Sequence, residues 1–296
     1  MSDATITLES TYTERDIVAA IRRLAGETAI SALPLPGGMI SDVRKVTFAD
    51  GRVAVSKYEE GPDAHYDIEA RMIERLYGAG VVPIPKVLFA SRELLIQEFM
   101  PGAHMTCAAG AHLGETLARL HAVRGDAHGF DGPTLNGSLV LPNGWWNEWI
   151  PYFRDTRLGY SADASAANGT LNDDLRSRIE ALRDRLHDLL IEPEYPALVH
   201  GDIWQSNVLA IGNRVTGLID PSTHYGHSEM DVANAVLLGG FGKEFIRAYA
   251  QRRPLDEKFW TTRIHVYGVY SAIMHVYYFG ERYERLLDRF LTKTGV

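Results

Sequence analysis

Two short apolar strands, ALV at 197–199 and VTGLI at 215–219, bracket the polar stretch HGDIWQSN at 200–207, and the second runs into Asp220-Pro221-Ser222. No other feature restricts the fold as much. Asp202 is followed five residues on by Asn207, and Asp220 closes the next strand. Asp and Asn are ordinary turn residues. A second acid at a strand end makes this set more than a turn, because two carboxylates and an amide oxygen can then converge on one hard cation. Mg²⁺ takes such oxygen ligands and keeps other positions for water and phosphate oxygens.

The whole chain bounds the setting. Its 296 residues suffice for one large domain or two lobes. Hydrophobic residues are 46% and charged residues 23%, as in ordinary globular proteins. A net charge of −8 and the lack of any run of five Lys/Arg argue against a nucleic-acid partner. Cys107 is the single cysteine, so no intrachain disulfide forms, which fits a reducing cytoplasm. The opening MSDATITLES lacks the basic and apolar regions of a signal peptide. No run of eighteen apolar residues marks a membrane span. A cytoplasmic protein, monomeric or weakly dimeric, is expected.

Along the chain, residues 12–26 read as a helix with Thr13 as cap and Ile17, Ala20, Ile21 and Leu24 at helical spacing. A Gly37-Gly38 turn follows, then a β-hairpin about Asp50-Gly51. Residues 65–78 form a helix with Ile68, Met72, Ile73 and Leu76 on one face. VVPIPKVLFAS and ELLIQEFM add two strands, and Pro101-Gly102 ends the segment. Residues 110–123 are helical, 124–145 loop-like, and a helix carrying Trp145, Trp146 and Trp149 runs to Leu158. Residues 159–171 read as a mobile surface loop, 172–190 as one amphipathic helix, and everything after about 229 as helical. The expected fold class is α+β: a small antiparallel-sheet lobe over 1–100 that ends in a hinge, and a larger, mostly helical lobe over 101–296.

H-x-D-x-x-x-x-N followed by a strand-terminal Asp is a phosphotransfer layout. Asp202 would accept the proton of an attacking hydroxyl, with Asn207 and Asp220 holding Mg²⁺ on nucleotide phosphates. The first lobe supplies the rest in order. Gly37, Gly38 and Ser41 form a phosphate-facing turn, Lys57 ends the strand VAVSK, and Glu69 lies twelve residues on in a helix. A strand Lys paired with a helical Glu positions the nucleotide phosphates; Glu74 competes for the role. The backbone near Glu98 and Met100 would meet the adenine of ATP.

HGD and DPS, with Trp204 in HGDIWQSN, resemble the HGDLWSGN signature of the fructosamine kinases (ketosamine-3-kinases), within the aminoglycoside phosphotransferase and choline kinase branch of the protein-kinase-like fold. HGFD at 128–131, NGWWNEWIPYFRDTRL at 143–158, IDPSTHYGHSEMDVA at 219–233, LLGGFGKEFIRAY and HVYYFGERY agree with that family. The chain departs from it at His227, Met39 and Leu141-Pro142-Asn143, and the first and last of these regions are expected to shape an acceptor pocket. The resemblance implies phosphorylation by Mg²⁺-ATP of the 3-hydroxyl of a sugar carried on an amine, free or protein-bound, in a deglycation role.

Trp204 either packs on the acceptor or supports its own loop. Tyr225, Glu229 and Trp149 are further candidates for the acceptor site. Asp231 caps a helix or fixes the catalytic loop, and His121 and His275 read as satisfied core histidines. Two other functions remain open: transfer to an aminoglycoside or other hydroxylated amine, for which Asp126, Asp131, Glu148 and Asp155 would suit a cation, and nucleotide binding without catalysis.

Overall fold

The computed structural model describes residues 12–35, 42–105 and 107–296; the expected phosphate turn, with Gly37, Gly38, Met39 and Ser41, lies outside them. Helix α1 (Glu14–Ala25) starts at a reciprocal cap: Asp16 donates its N–H to Thr13 Oγ1, and Thr13 donates its N–H to Asp16. Strands β1 (Ala29–Pro34), β2 (Val43–Phe48), β3 (Val53–Tyr58), β4 (Val87–Ala90) and β5 (Leu94–Glu98) form an antiparallel sheet in the order β1-β2-β3-β5-β4. The β2–β3 turn uses Gly51 at φ 87°, a backbone setting that favours glycine. α1 buries Ile17, Ala20 and Ile21 against Phe48, Ala54 and Ile96 on one side of the sheet. Helix α2 (Tyr66–Ala79) buries Ile68, Met72, Ile73 and Leu76, so its apolar stripe was read correctly.

The rest is mostly helical around one large core. It opens with β6 (Ala103–His104) and α3 (Gly110–Leu120), which buries Leu113, Leu117 and Leu120. Four three-residue strands follow: β7 (His128–Phe130), β8 (Thr134–Asn136), β9 (Leu139–Leu141) and β10 (Gly144–Trp146). Then come α4 (Trp149–Tyr152), a π-helical turn at Phe153–Gly159, α5 (Tyr160–Ala167), α6 (Asp173–Asp184) and α7 (Leu186–Leu189). Strands β11 (Ala197–Val199), β12 (Val208–Ile211), β13 (Arg214–Leu218) and β14 (His224–Gly226) carry the motif region. Helices α8 (Glu229–Leu237), α9 (Gly242–Ala250), α10 (Ile264–Phe279) and α11 (Glu284–Thr294) complete the chain. This is the expected α+β arrangement, an antiparallel-sheet amino-terminal part beside a helical carboxy-terminal part. Among the described residues no helix is long and apolar enough to cross a membrane.

The single helix expected over 172–190 is broken at Arg185 into α6 and α7, and three other local expectations fail for identifiable reasons. The loop-like stretch 124–145 holds β7–β10, whose three-residue strands are too short to show a period. Trp145 and Trp146 lie in β10, outside the helix, which begins only at Trp149 because the Glu192 carboxylate accepts the N–H groups of Trp149 (2.6 Å) and Ile150 (2.9 Å). The supposed mobile loop 159–171 contains α5: its alanines are strong helix formers, and Ala162 packs in the main core.

Candidate active site

Strand register sets the first part of the site. Lys57 lies opposite Val43 and Leu95, and its buried ammonium reaches Glu69 Oε1 of α2 at 2.6 Å and Asp220 Oδ1 at 2.7 Å. Burial alone favours the neutral amine, but the Asp220 and Glu69 carboxylates outweigh it and hold the Lys57 charge well above the ordinary lysine range. Lysine has three N–H donors. Two are engaged here, which leaves one for a further anion. Of the two acids weighed on α2, Glu69 meets Lys57, whereas Glu74 lines a separate cleft.

The loop HGD is shaped by close packing. Gly201 sits at φ 84°, and a Cβ there would lie 2.2 Å from the carbonyl oxygen of Ser222, so only glycine fits. The buried Asp231 carboxylate accepts the backbone N–H groups of His200 (2.8 Å) and Gly201 (2.7 Å) and bonds His121 Nε2 (3.1 Å). Both expectations here hold: Asp231 fixes the loop, and His121 is a satisfied core histidine. The Ser222 N–H donates to His200 O at 2.8 Å and the Ile219 N–H to Asn207 O at 3.0 Å, which straps the two motifs together. Asp220 adopts φ 54°, the one positive φ outside glycine among the described residues. Such backbone strain gathers at functional sites.

Asn207 donates through Nδ2 to Asp202 Oδ2 at 2.8 Å and to Asp202 O at 3.0 Å. Its side-chain hydrogen bonds to Asp202 and Asp220 all run through Nδ2, which leaves Oδ1 for a cation. Burial, with Asp220 and Asp231 near and the Asn207 bond opposing, pushes the largely buried Asp202 carboxyl up to about 7. Among the described residues no three His, Cys, Asp or Glu side chains form a metal cage. Asn207 and Asp220 together fit a cation that draws its other ligands from phosphate and water, as Mg²⁺ does.

A cavity of about 520 Å³ joins these groups. Lys57, Glu69, Glu98, Met100, Asp202, Trp204, Asn207 and Asp220, all expected at the site, line it. Three acceptor candidates do not, and are corrected. Trp149 is fully buried between Phe153 and His224. Glu229 is buried on Arg263 through two bonds of 2.7 and 2.6 Å. Tyr225 lines the other cleft with Arg71 and Arg75. The departures at His227 and Asn143 also lie off the cavity wall: Asn143 is held between Tyr152 and Arg157, and His227 packs on Trp149.

The wall opposite Asp202 comes from α8 and α10, which motif reading missed. Asn234, Tyr270, Ser271, Met274, His275 and Tyr278 face the cavity there. His275 bonds Ser271 O through Nδ1 at 2.8 Å, so it is satisfied as expected, yet it forms wall as well as packing. The available signal was Ser271 and His275 four residues apart, polar breaks on one face of an otherwise apolar helix.

The fructosamine kinase family model matches residues 15–294. A Thermus thermophilus protein assigned as a ketoamine kinase is 30% identical over 269 residues, 90% of this chain and 95% of the relative. One from Vibrio vulnificus is 26% identical, over 89% of this chain and 93% of its own. A crystal structure assigned as a fructosamine-3-kinase, from Thermobifida fusca, superposes with a TM-score of 0.83 at 25% identity, covering 94% of this chain and 98% of that one. A thermostable aminoglycoside phosphotransferase mutant, solved in a ternary complex with AMP-PNP and hygromycin B, gives a TM-score of 0.65 at 18% identity over 94% and 96% of the two chains, which shows a shared fold alone. The family match spans both the sheet that carries Lys57 and the helices α8 and α10 that line the cavity, and on it the chain belongs to the fructosamine kinase family and is a phosphotransferase of the kinase class.

Proposed function

We propose that this protein transfers the γ-phosphoryl group of Mg²⁺-ATP to a sugar hydroxyl of a ketosamine, the 3-hydroxyl by analogy with its family. The observation that carries this is one cavity with two unlike ends. Lys57, Glu69 and Asp220 concentrate charge in one part of its wall, and α8 and α10 add neutral amide, hydroxyl and aromatic groups in another, with Asp202 lining the same cavity. Asp202 accepts the proton of the acceptor hydroxyl as it attacks. Its raised affinity for protons suits that task, since a general base works best near the operating pH. Lys57, held by Glu69, places positive charge on the nucleotide phosphates. Asn207 Oδ1 and the Asp220 carboxylate would hold Mg²⁺, which would supply neutralisation of charge on the phosphates. Phosphoryl transfer asks for this positioning and neutralisation more than for covalent help.

The same wall argues against a polycationic acceptor. Of the acids that could have attracted one, Asp131 is paired with Arg75 and Asp155 with Arg154 and Arg183, and neither Asp126 nor Glu148 lines the cavity. A polyol with a single amine fits better. Phosphorylation at that position serves deglycation, as the family implies. The test is ADP release from Mg²⁺-ATP with fructose-lysine or ribulose-lysine, against an aminoglycoside control. Turnover confined to the ketosamines is expected; turnover confined to the aminoglycoside would overturn the acceptor assignment.

A further inference from the structure

The β2–β3–β5 register selects the side chains on the cavity face of the sheet. Val43 pairs with Lys57, and Val55 pairs with Gln97. Paired residues share a face, as do residues two apart in a strand. Val43, Val55, Lys57 and Gln97 therefore project together, and all four line the cavity. Lys57 is committed to two carboxylates, and the valines are apolar. Gln97 is 4% exposed, and its buried Oε1 has no hydrogen-bond partner. A buried acceptor without a partner is costly and rare in a fold. This one stands on the cavity wall directly before Glu98 and Met100, one pair of residues along β3 from the lysine that faces phosphate. That separation from Lys57, one residue pair along the sheet, leaves room for the sugar and base of a nucleotide whose phosphates meet the lysine.

We propose that the Gln97 side chain reads the nucleobase of ATP, its amide oxygen accepting a hydrogen bond from the adenine N6 amino group and its amide nitrogen donating one to N7. This rests on the phosphotransferase reading and adds a side-chain contact to the backbone hinge. A carboxamide carries one acceptor and one donor group whichever way it is turned, and glutamine makes this same pair of bonds to adenine in the major groove of DNA. Guanine presents two acceptors, O6 and N7, on that edge, so one amide satisfies only half of it. Gln97 thus selects ATP over GTP.

The test is equilibrium binding of Mg²⁺ complexes of ATP, GTP, 7-deaza-ATP and purine riboside triphosphate to the wild type and to Gln97→Met. Wild type is expected to prefer ATP over GTP by about tenfold to a hundredfold, and to lose affinity when either N7 or the N6 amine is deleted. In Gln97→Met, ATP should weaken to the level of the deleted analogues, and 7-deaza-ATP should bind as well as ATP. A merely structural glutamine would weaken all four nucleotides equally, and that result overturns the proposal. The analogue series on wild type stands alone should the variant fail to fold: equal affinity for ATP, 7-deaza-ATP and purine riboside triphosphate also overturns it. A wild type that binds no nucleotide instead defeats the phosphotransferase reading beneath it.

Discussion

The two ends of the cavity are built on opposite principles. The nucleotide end is a compact charge cluster, with Lys57 between Glu69 and Asp220 at 2.6 and 2.7 Å. Short strands and a strapped loop hold it, so its parts can sit nowhere else. The end proposed for the acceptor is neutral and aromatic, drawn from α8 and α10, with Tyr270 Oη buried and unpartnered and Ser271 donating to Asn234. Transfer of a phosphoryl group demands fixed charges in fixed places, so that end can vary little. Recognition of one polyol among many demands only shape and a few hydrogen bonds, which many side-chain sets can supply.

The largest effect expected is at the junction of the two ends. Asp202→Asn removes the base while keeping an oxygen for Asn207, and turnover should fall by about 10²–10⁴-fold with nucleotide binding largely retained. Near-wild-type ADP release would erase the distinction between the ends. Next comes acid, because three buried histidines pack around Trp149. Burial pulls His128 down to about 4 and His224 and His227 to about 3. Against an unfolded value of about 6.5, the unfolded chain binds more protons throughout this window. Stability is therefore full above about pH 6.5 and lost progressively as pH falls toward these lower values. Denaturant midpoints at pH 7.5, 6 and 5 should decrease in that order, and a flat series would show that these rings do not stay neutral.

Lys57→Met should cost about 3 kcal/mol of unfolding free energy, since it strands the buried Glu69 carboxylate; urea titration measures it. The smallest effect belongs to the acceptor wall. Tyr270→Phe removes one neutral hydroxyl, worth roughly threefold to tenfold in acceptor KM, with the KM for ATP unchanged. A matching change in both constants would mean that the ends are not separable.

The same contrast governs what the sequence made legible. Asp202, Asn207 and Asp220 lie within nineteen residues, on a loop whose geometry follows from its own spacing, and Lys57 and Glu69 could be read from strand and helix order. Tyr225 and Glu229 lie near those motifs in sequence, and Trp149 belongs to a cluster of tryptophans, yet each turns away from the cavity: Trp149 to the core, Tyr225 to a second cleft and Glu229 to Arg263. Tyr270 and Ser271 reach the site from a helix more than sixty residues downstream of Asp202, inside a mostly apolar run where only the spacing of Ser271 and His275 marks the face that meets the cavity. The helix α5 was hidden for a different reason: alanine and serine suit a loop by polarity and a close helix contact by size, and composition does not choose between them.

The carboxylate that starts α4 has a consequence for the order of events during synthesis. Glu192 lies 43 residues beyond Trp149, whose N–H it accepts. At about 5–20 residues per second, the ribosome delivers that acid roughly two to nine seconds after the tryptophan emerges. Until then the first turn of α4 lacks its acceptor, and the large aromatic cluster around Trp149 has no fixed starting point. The carboxy-terminal part of this protein thus cannot settle from its leading edge forward; it must wait for its own later chain to close the helix that came before.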